Sequence, residues 1–203
     1  IGIAARFMPG RQVLSDLQAR VINVDPGYFK DCSDNVLLTS RGGNHYDRTF
    51  MEAFVRPGIG PENWTSRTNY PALNVVPTRP TEISLFVQHR YGQPAHHLRR
   101  YTLRTDGFAS VNAPYQGGEL ITKPFRFTGP NLVINFATSA PGGLRFEIQD
   151  KDRKPIPGYA LEDSLEGIGN EIEGQVAWKD GSDVSRLAGQ TVCLRVVMKD
   201  ADL

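Results

Sequence analysis

Cysteine, long apolar runs and helical periodicity are all scarce in this chain of 203 residues. Only Cys32 and Cys193 are present. Two thiols so far apart make neither a disulfide framework nor a thiolate metal cluster. No apolar stretch approaches the roughly 18 residues that a membrane-spanning helix needs, so no membrane span is expected. Charge is also balanced, at a net +1, which excludes the strong overall basicity of a nucleic-acid binder. Nothing in the residues implies a cofactor, and neither compartment nor oligomeric state is set by them.

Lysine is nearly missing from the first half. Residues 1–112 hold 12 Arg and one Lys against 9 acidic residues, a net charge of +4. Residues 113–203 hold 10 basic and 13 acidic residues, a net charge of −3. Long-range attraction needs only charge, whereas Arg suits bidentate contacts and stacking on flat faces. The bias therefore points to fixed local contacts, or else to plain compositional drift.

Glycine (20) and proline (14) are plentiful, and they punctuate the chain into short segments. One helix is expected, over Ser15–Ile22, capped by Ser15 or Asp16 and stopped by Asp25-Pro-Gly27. The rest reads as strands. Val36–Thr39 leads into a hairpin turn over Ser40–Tyr46. Leu73–Val76, Glu82–His89, Leu98–Arg104 and Phe108–Val111 read as four strands in sequence, joined by tight turns like one propeller blade. In the third quarter of the chain Leu144, Phe146 and Ile148 alternate with Arg145, Glu147 and Gln149. Val192, Leu194 and Val196 repeat that pattern. Such one-sided strands predict a β-sandwich built from Glu119–Phe127, Leu132–Ala137, Leu144–Gln149, Ile172–Trp178 and Thr191–Met198. The expected fold class is all-β: the final blades of a β-propeller over residues 1–112, then a jelly-roll-like β-sandwich over 113–203. Gly2–Phe7 alternates like a strand whose partner lies upstream, so the chain reads as the C-terminal part of a longer protein.

The run from Ser33 to Gly58 carries a resemblance. So do Glu62-Asn-Trp64, Asn69-Tyr-Pro-Ala72, Leu98-Arg-Arg-Tyr101, Arg104-Thr-Asp-Gly-Phe108 and Gly117-Gly-Glu-Leu-Ile-Thr-Lys-Pro124. Glu147-Ile-Gln-Asp150, Pro155-Ile-Pro-Gly158, Leu161-Glu-Asp163 and Trp178 extend it. Together they resemble an uncharacterised bacterial family frequent in planctomycetes. That family is described as similar to the five-bladed propellers of glycoside hydrolase family 32, followed by a β-sandwich. The resemblance implies a carbohydrate ligand and a carbohydrate-active parent protein. It also implies a retaining pair of carboxylates, but no residue here matches the family's nucleophile, stabiliser or acid motifs. A non-catalytic binding or scaffold protein on the same fold is the alternative.

Candidate site residues follow. Glu52 sits between apolar neighbours and between Arg48 and Arg56. It is a candidate for a channel carboxylate held by arginine, or for a structural ion pair. Trp64, Arg67, Asn69 and Tyr70 precede a blade strand; rings there can stack on sugar faces, and Arg67 and Asn69 can bind hydroxyls or a carboxylate. Inter-blade packing is the competing role. His89, in Gln88-His-Arg-Tyr91 near His96-His97, has no carboxylate beside it, which argues for a ligand contact or a structural role over a metal. Asp150-Lys-Asp152 and Asp180-Gly-Ser-Asp183 read as ordinary turns. Ser40–Tyr46 resembles the Asp-box hairpin of sialidase-like propellers, with Gly42 where the aspartate would stand.

Overall fold

A computed structural model describes all residues, 1–203, and the fold is all-β, with a single short α-helix. The chain divides into two compact units, Ile1–Phe108 and Ala109–Leu203.

The first unit opens with β1 (Gly2–Met8), α1 (Asp16–Val21) and β2 (Cys32–Leu38). β1 and β2 pair antiparallel, with Arg6 opposite Asp34 and Ala5 opposite Asn35. The helix starts where the sequence predicts. The Ser15 side chain accepts from the Gln18 N–H at 3.2 Å, and Gln18 Oε1 accepts from the Ser15 N–H at 2.9 Å, a reciprocal capping box. Ala19, Val24 and Phe29 bury the small apolar face beneath it.

The remaining strands of this unit are β3 (Tyr70–Pro71), β4 (Val76–Arg79), β5 (Glu82–His89) and β6 (His97–Arg104). β5 is the axis of the sheet. β6 runs along one edge, and β3 and β4 share the other. Ile83, Leu85 and Val87 are buried as their alternation predicts, and Leu85 and Val87 pack with Val55. Two expectations change. The strand expected at Leu73–Val76 is broken: Ala72–Asn74 is exposed, and Asn74 adopts a left-handed backbone (φ 67°) that a continuous strand does not allow. Phe108–Val111 does not add a fourth strand. Phe108 instead packs its ring on Phe54, 6.5 Å between centroids.

The second unit contains β7 (Asn112–Ala113), β8 (Gly118–Ile121), β9 (Val133–Gln149), β10 (Asn170–Gln175) and β11 (Cys193–Asp202). The strands expected at Leu132–Ala137 and Leu144–Gln149 are two halves of the single 17-residue β9. Its register with β11 jumps between Lys199 and Ala201, so Ser139–Gly142 bulges out of the ladder. β11 lies between β9 and the two short strands β7 and β8, while β10 flanks the first half of β9. Leu144, Phe146, Ile148, Val196 and Met198 form the core with Trp178, whose Nε1–H donates to the Phe146 carbonyl at 2.9 Å. The opposite face of β9 is not simply wet. Glu147 is buried there, accepting from the Leu161 N–H at 3.1 Å and from Gln149 Nε2 at 2.7 Å. Arg195 approaches it from β11 at 3.5 Å.

Candidate functional site

The first unit has a groove of about 670 Å³ between the outer edge of β1 and the segment Tyr70–Val75. That lies within the roughly 300–1,000 Å³ common for small-ligand sites. Two tyrosines line it, Tyr46 from the hairpin after β2 and Tyr70 at the start of β3. The Tyr46 ring packs against β1 at Gly2, 3.7 Å from where a side chain there would begin. Asn74 adds an amide, and Ile1, Ile3, Leu73 and Leu85 are among the apolar lining.

The β1 wall is polar through its main chain. In β2, the Asn35 N–H donates to the Val55 carbonyl at 3.2 Å, and the Asn35 carbonyl accepts from the Phe54 N–H at 2.7 Å. Asn35 thus directs its backbone away from β1. Its partner Ala5, and Ile3 two residues on, must likewise direct theirs away from β2, because facing residues in an antiparallel pair alternate together. The outer edge of β1 offers N–H and C=O groups at strand spacing.

The sequence candidates scatter. Glu52, Arg48 and Arg56 are all exposed, and neither arginine pairs with Glu52. Arginine holds other carboxylates in this unit, Glu82 through Arg100 and Asp34 through Arg6 among them. Arg6 Nε donates to Asp34 Oδ1 at 2.8 Å and Nη2 to Asp34 Oδ2 at 2.6 Å, which raises the Arg6 guanidinium above its ordinary value. Trp64 is partly exposed and donates through Nε1 to the Gly58 carbonyl at 3.1 Å. Asn69 is fully buried, its Nδ2 donating to the carbonyls of Ser33 (3.0 Å) and Asn63 (3.2 Å). Arg67 projects outward against two tyrosine rings. Tyr70 alone of the candidates lines the groove.

His89 is buried in a stack between His97 (5.6 Å) and Tyr101 (5.8 Å), with the Tyr101 hydroxyl 3.0 Å from its Nε2. Burial lowers its pKa from the ordinary value, and the Arg99, His97 and Arg90 charges add to that. Nowhere does the chain gather three or more His, Cys, Asp or Glu side chains in a metal-holding group.

Sequence reasoning missed Tyr46, Tyr28, Tyr91 and the Arg6–Asp34 pair. Aromatic residues in turns were visible as such. Which strand edge they would border depends on the β1–β2 register, which no local pattern encodes. No family model, curated protein or solved structure matches the chain.

Proposed function

We propose that the chain is a carbohydrate-recognising protein: residues 1–112 the last part of a β-propeller and 113–203 a β-sandwich, as in proteins resembling glycoside hydrolase family 32. The observation that carries the reading is the groove flanked by Tyr46 and Tyr70. Tyrosine rings give sugars a flat apolar face with a polar tip. The main-chain edge of Ile3 and Ala5, together with Asn74, supplies donors and acceptors for hydroxyls.

Recognition is favoured over bond cleavage within this chain. A retaining hydrolase sets two carboxyl groups about 5–5.5 Å apart, and the groove lining contains no Asp or Glu. In a catalytic parent protein, those carboxylates come from other residues.

The test is a glycan array, followed by calorimetry on the glycans retained. Tyr46→Ala and Tyr70→Ala are each expected to weaken binding about ten-fold or more, which is about 1.4 kcal/mol or more. Thermal melting checks that both variants fold. Failure to retain any glycan, or wild-type affinity in both variants, overturns the proposal.

A further inference from the structure

The segment Asn63–Asn69 is largely a polar plug, with Trp64 and Arg67 exposed. The hydroxyls of Thr65 and Thr68 are hydrogen-bonded at 2.8 Å, and Gln93 Nε2 donates to Thr65 Oγ1 at 3.1 Å. The Tyr91 N–H donates to Thr68 Oγ1 at 3.1 Å. Thr65, Ser66, Thr68 and Asn69 are buried to 3% exposure or less, yet Arg67 in their midst is exposed. Its outward direction comes from the backbone: Arg67 and Asn69 both take left-handed conformations, φ 58° and 71°. Such values are costly for a long side chain, and they persist only where the surroundings impose them. Gln88 Nε2 does so by donating to the Arg67 carbonyl at 3.0 Å.

The guanidinium lies against two aromatic rings. Its carbon lies 5.1 Å from the centroid of Tyr28 and 5.7 Å from that of Tyr91. Those rings meet edge to face at 5.0 Å, and His96 closes on Tyr91 at 5.4 Å. The Tyr91 and Tyr28 side chains beside it raise the Arg67 pKa above its ordinary value. Unlike Arg6, Arg90, Arg100 and Arg195, which are held by carboxylates, Arg67 is set between two rings. Rings occupy the face of a guanidinium and leave in-plane N–H donors to spare.

We propose that Arg67, clamped by Tyr28 and Tyr91, binds the carboxylate of an acidic sugar, a uronic acid unit. The fork of a guanidinium matches the two oxygens of a carboxylate. A side chain restrained by two rings loses less freedom on binding than a free one. The exposed parts of the two tyrosines offer apolar surface to a pyranose ring, and the net charge of +4 over residues 1–112 draws anions in. The sugar half of this assignment rests on the carbohydrate reading above; the carboxylate half does not.

The experiment follows the Arg67 Nε–Hε signal and the Tyr28 and Tyr91 ring signals by NMR. The full chain is titrated separately with glucuronate, acetate, glucose, inorganic phosphate and a neutral oligosaccharide. Glucuronate is expected to move all three sets of signals and to bind several-fold tighter than acetate, and glucose to leave them unmoved. Arg67→Gln should weaken glucuronate binding about ten-fold, and Arg67→Lys should lose most of that affinity too because it keeps the charge but not the fork. Melting temperatures show whether the variants fold. Glucuronate binding at Arg67 with no neutral oligosaccharide bound anywhere sinks the groove reading and upholds the clamp. Equal affinity for acetate and glucuronate, tighter binding of phosphate, or no shift at Arg67 overturns the proposal.

Discussion

Arg6 and Asp34 face each other across the β1–β2 ladder and are joined by two parallel hydrogen bonds, at 2.8 and 2.6 Å. A third donor of Arg6, Nη1, reaches the Met51 carbonyl at 2.6 Å. The pair therefore ties the strand register to the segment beyond the hairpin. Asp34 is almost sealed while Arg6 is partly open, so removing the carboxylate leaves a cation half out of water. Asp34→Ala should cost about 1–3 kcal/mol in urea unfolding. Asp34→Asn, which keeps one acceptor, should cost less. Equal stability of all three proteins would show that the pair does not hold the register.

His89 makes stability depend on pH. Its folded pKa lies below the ordinary 6.5, so the folded chain prefers the neutral ring. As pH falls through 6.5 the unfolded chain takes up a proton that the folded chain resists. The His89 contribution is therefore complete above that pH and declines below it, levelling off once the folded ring also protonates. The slope from one such group is at most about 1.4 kcal/mol per pH unit. Unfolding free energies of wild type and His89→Gln, measured between pH 7.5 and 5, should converge as the pH falls. Parallel curves would sink the idea.

Trp178 is the centre of the second unit's core, 1% exposed and edge-on to Tyr159 at 5.1 Å. Trp178→Ala should cost about 3–5 kcal/mol. Trp178→Phe should cost less in volume but leaves the Phe146 carbonyl without its indole donor. Denaturation followed by far-ultraviolet circular dichroism reads both, since the tryptophan signal is changed by the substitution itself.

Gly92 has φ 71°, and a Cβ added there would lie 2.8 Å from Tyr28 Cδ2. Gly92→Ala combines an unfavourable backbone with a displaced ring, at an expected cost of about 1–2 kcal/mol. Tyr28 ring resonances should move as well. A variant as stable as wild type, with unmoved Tyr28 signals, would mean that the ring gives way freely.

Much of the strand content was legible, because alternation and turn residues are local signals. Glu82–His89 emerged with its limits intact, and the capped helix differed by only a residue at each end. The joined strand β9 was not legible: Pro141-Gly-Gly143 reads as a turn, yet pairing with β11 resumes beyond it and carries the chain through as a bulge. The candidate cluster Trp64–Tyr70 was legible as polar and aromatic, but the division of labour within it was not. Whether a polar side chain faces a neighbouring loop or water depends on left-handed turns at Arg67 and Asn69, and non-glycine residues carry no clear sequence mark for that conformation. Glu52 failed to find an arginine for a related reason. Residues on paired strands, such as Arg6 and Asp34, meet through register, and residues four apart in an extended segment need not meet at all.

The turned-out Arg67 has a consequence for proteolysis. A trypsin-like enzyme must draw several residues on both sides of the bond into its cleft, and here those residues are the buried Thr65, Ser66, Thr68 and Asn69. Cleavage after Arg67 then requires the unit to open first. By contrast every residue from Arg41 to Glu52 is exposed. Limited digestion should nick after Arg41 or Arg48 long before it cuts the Arg67–Thr68 bond, although all three arginines are open to solvent.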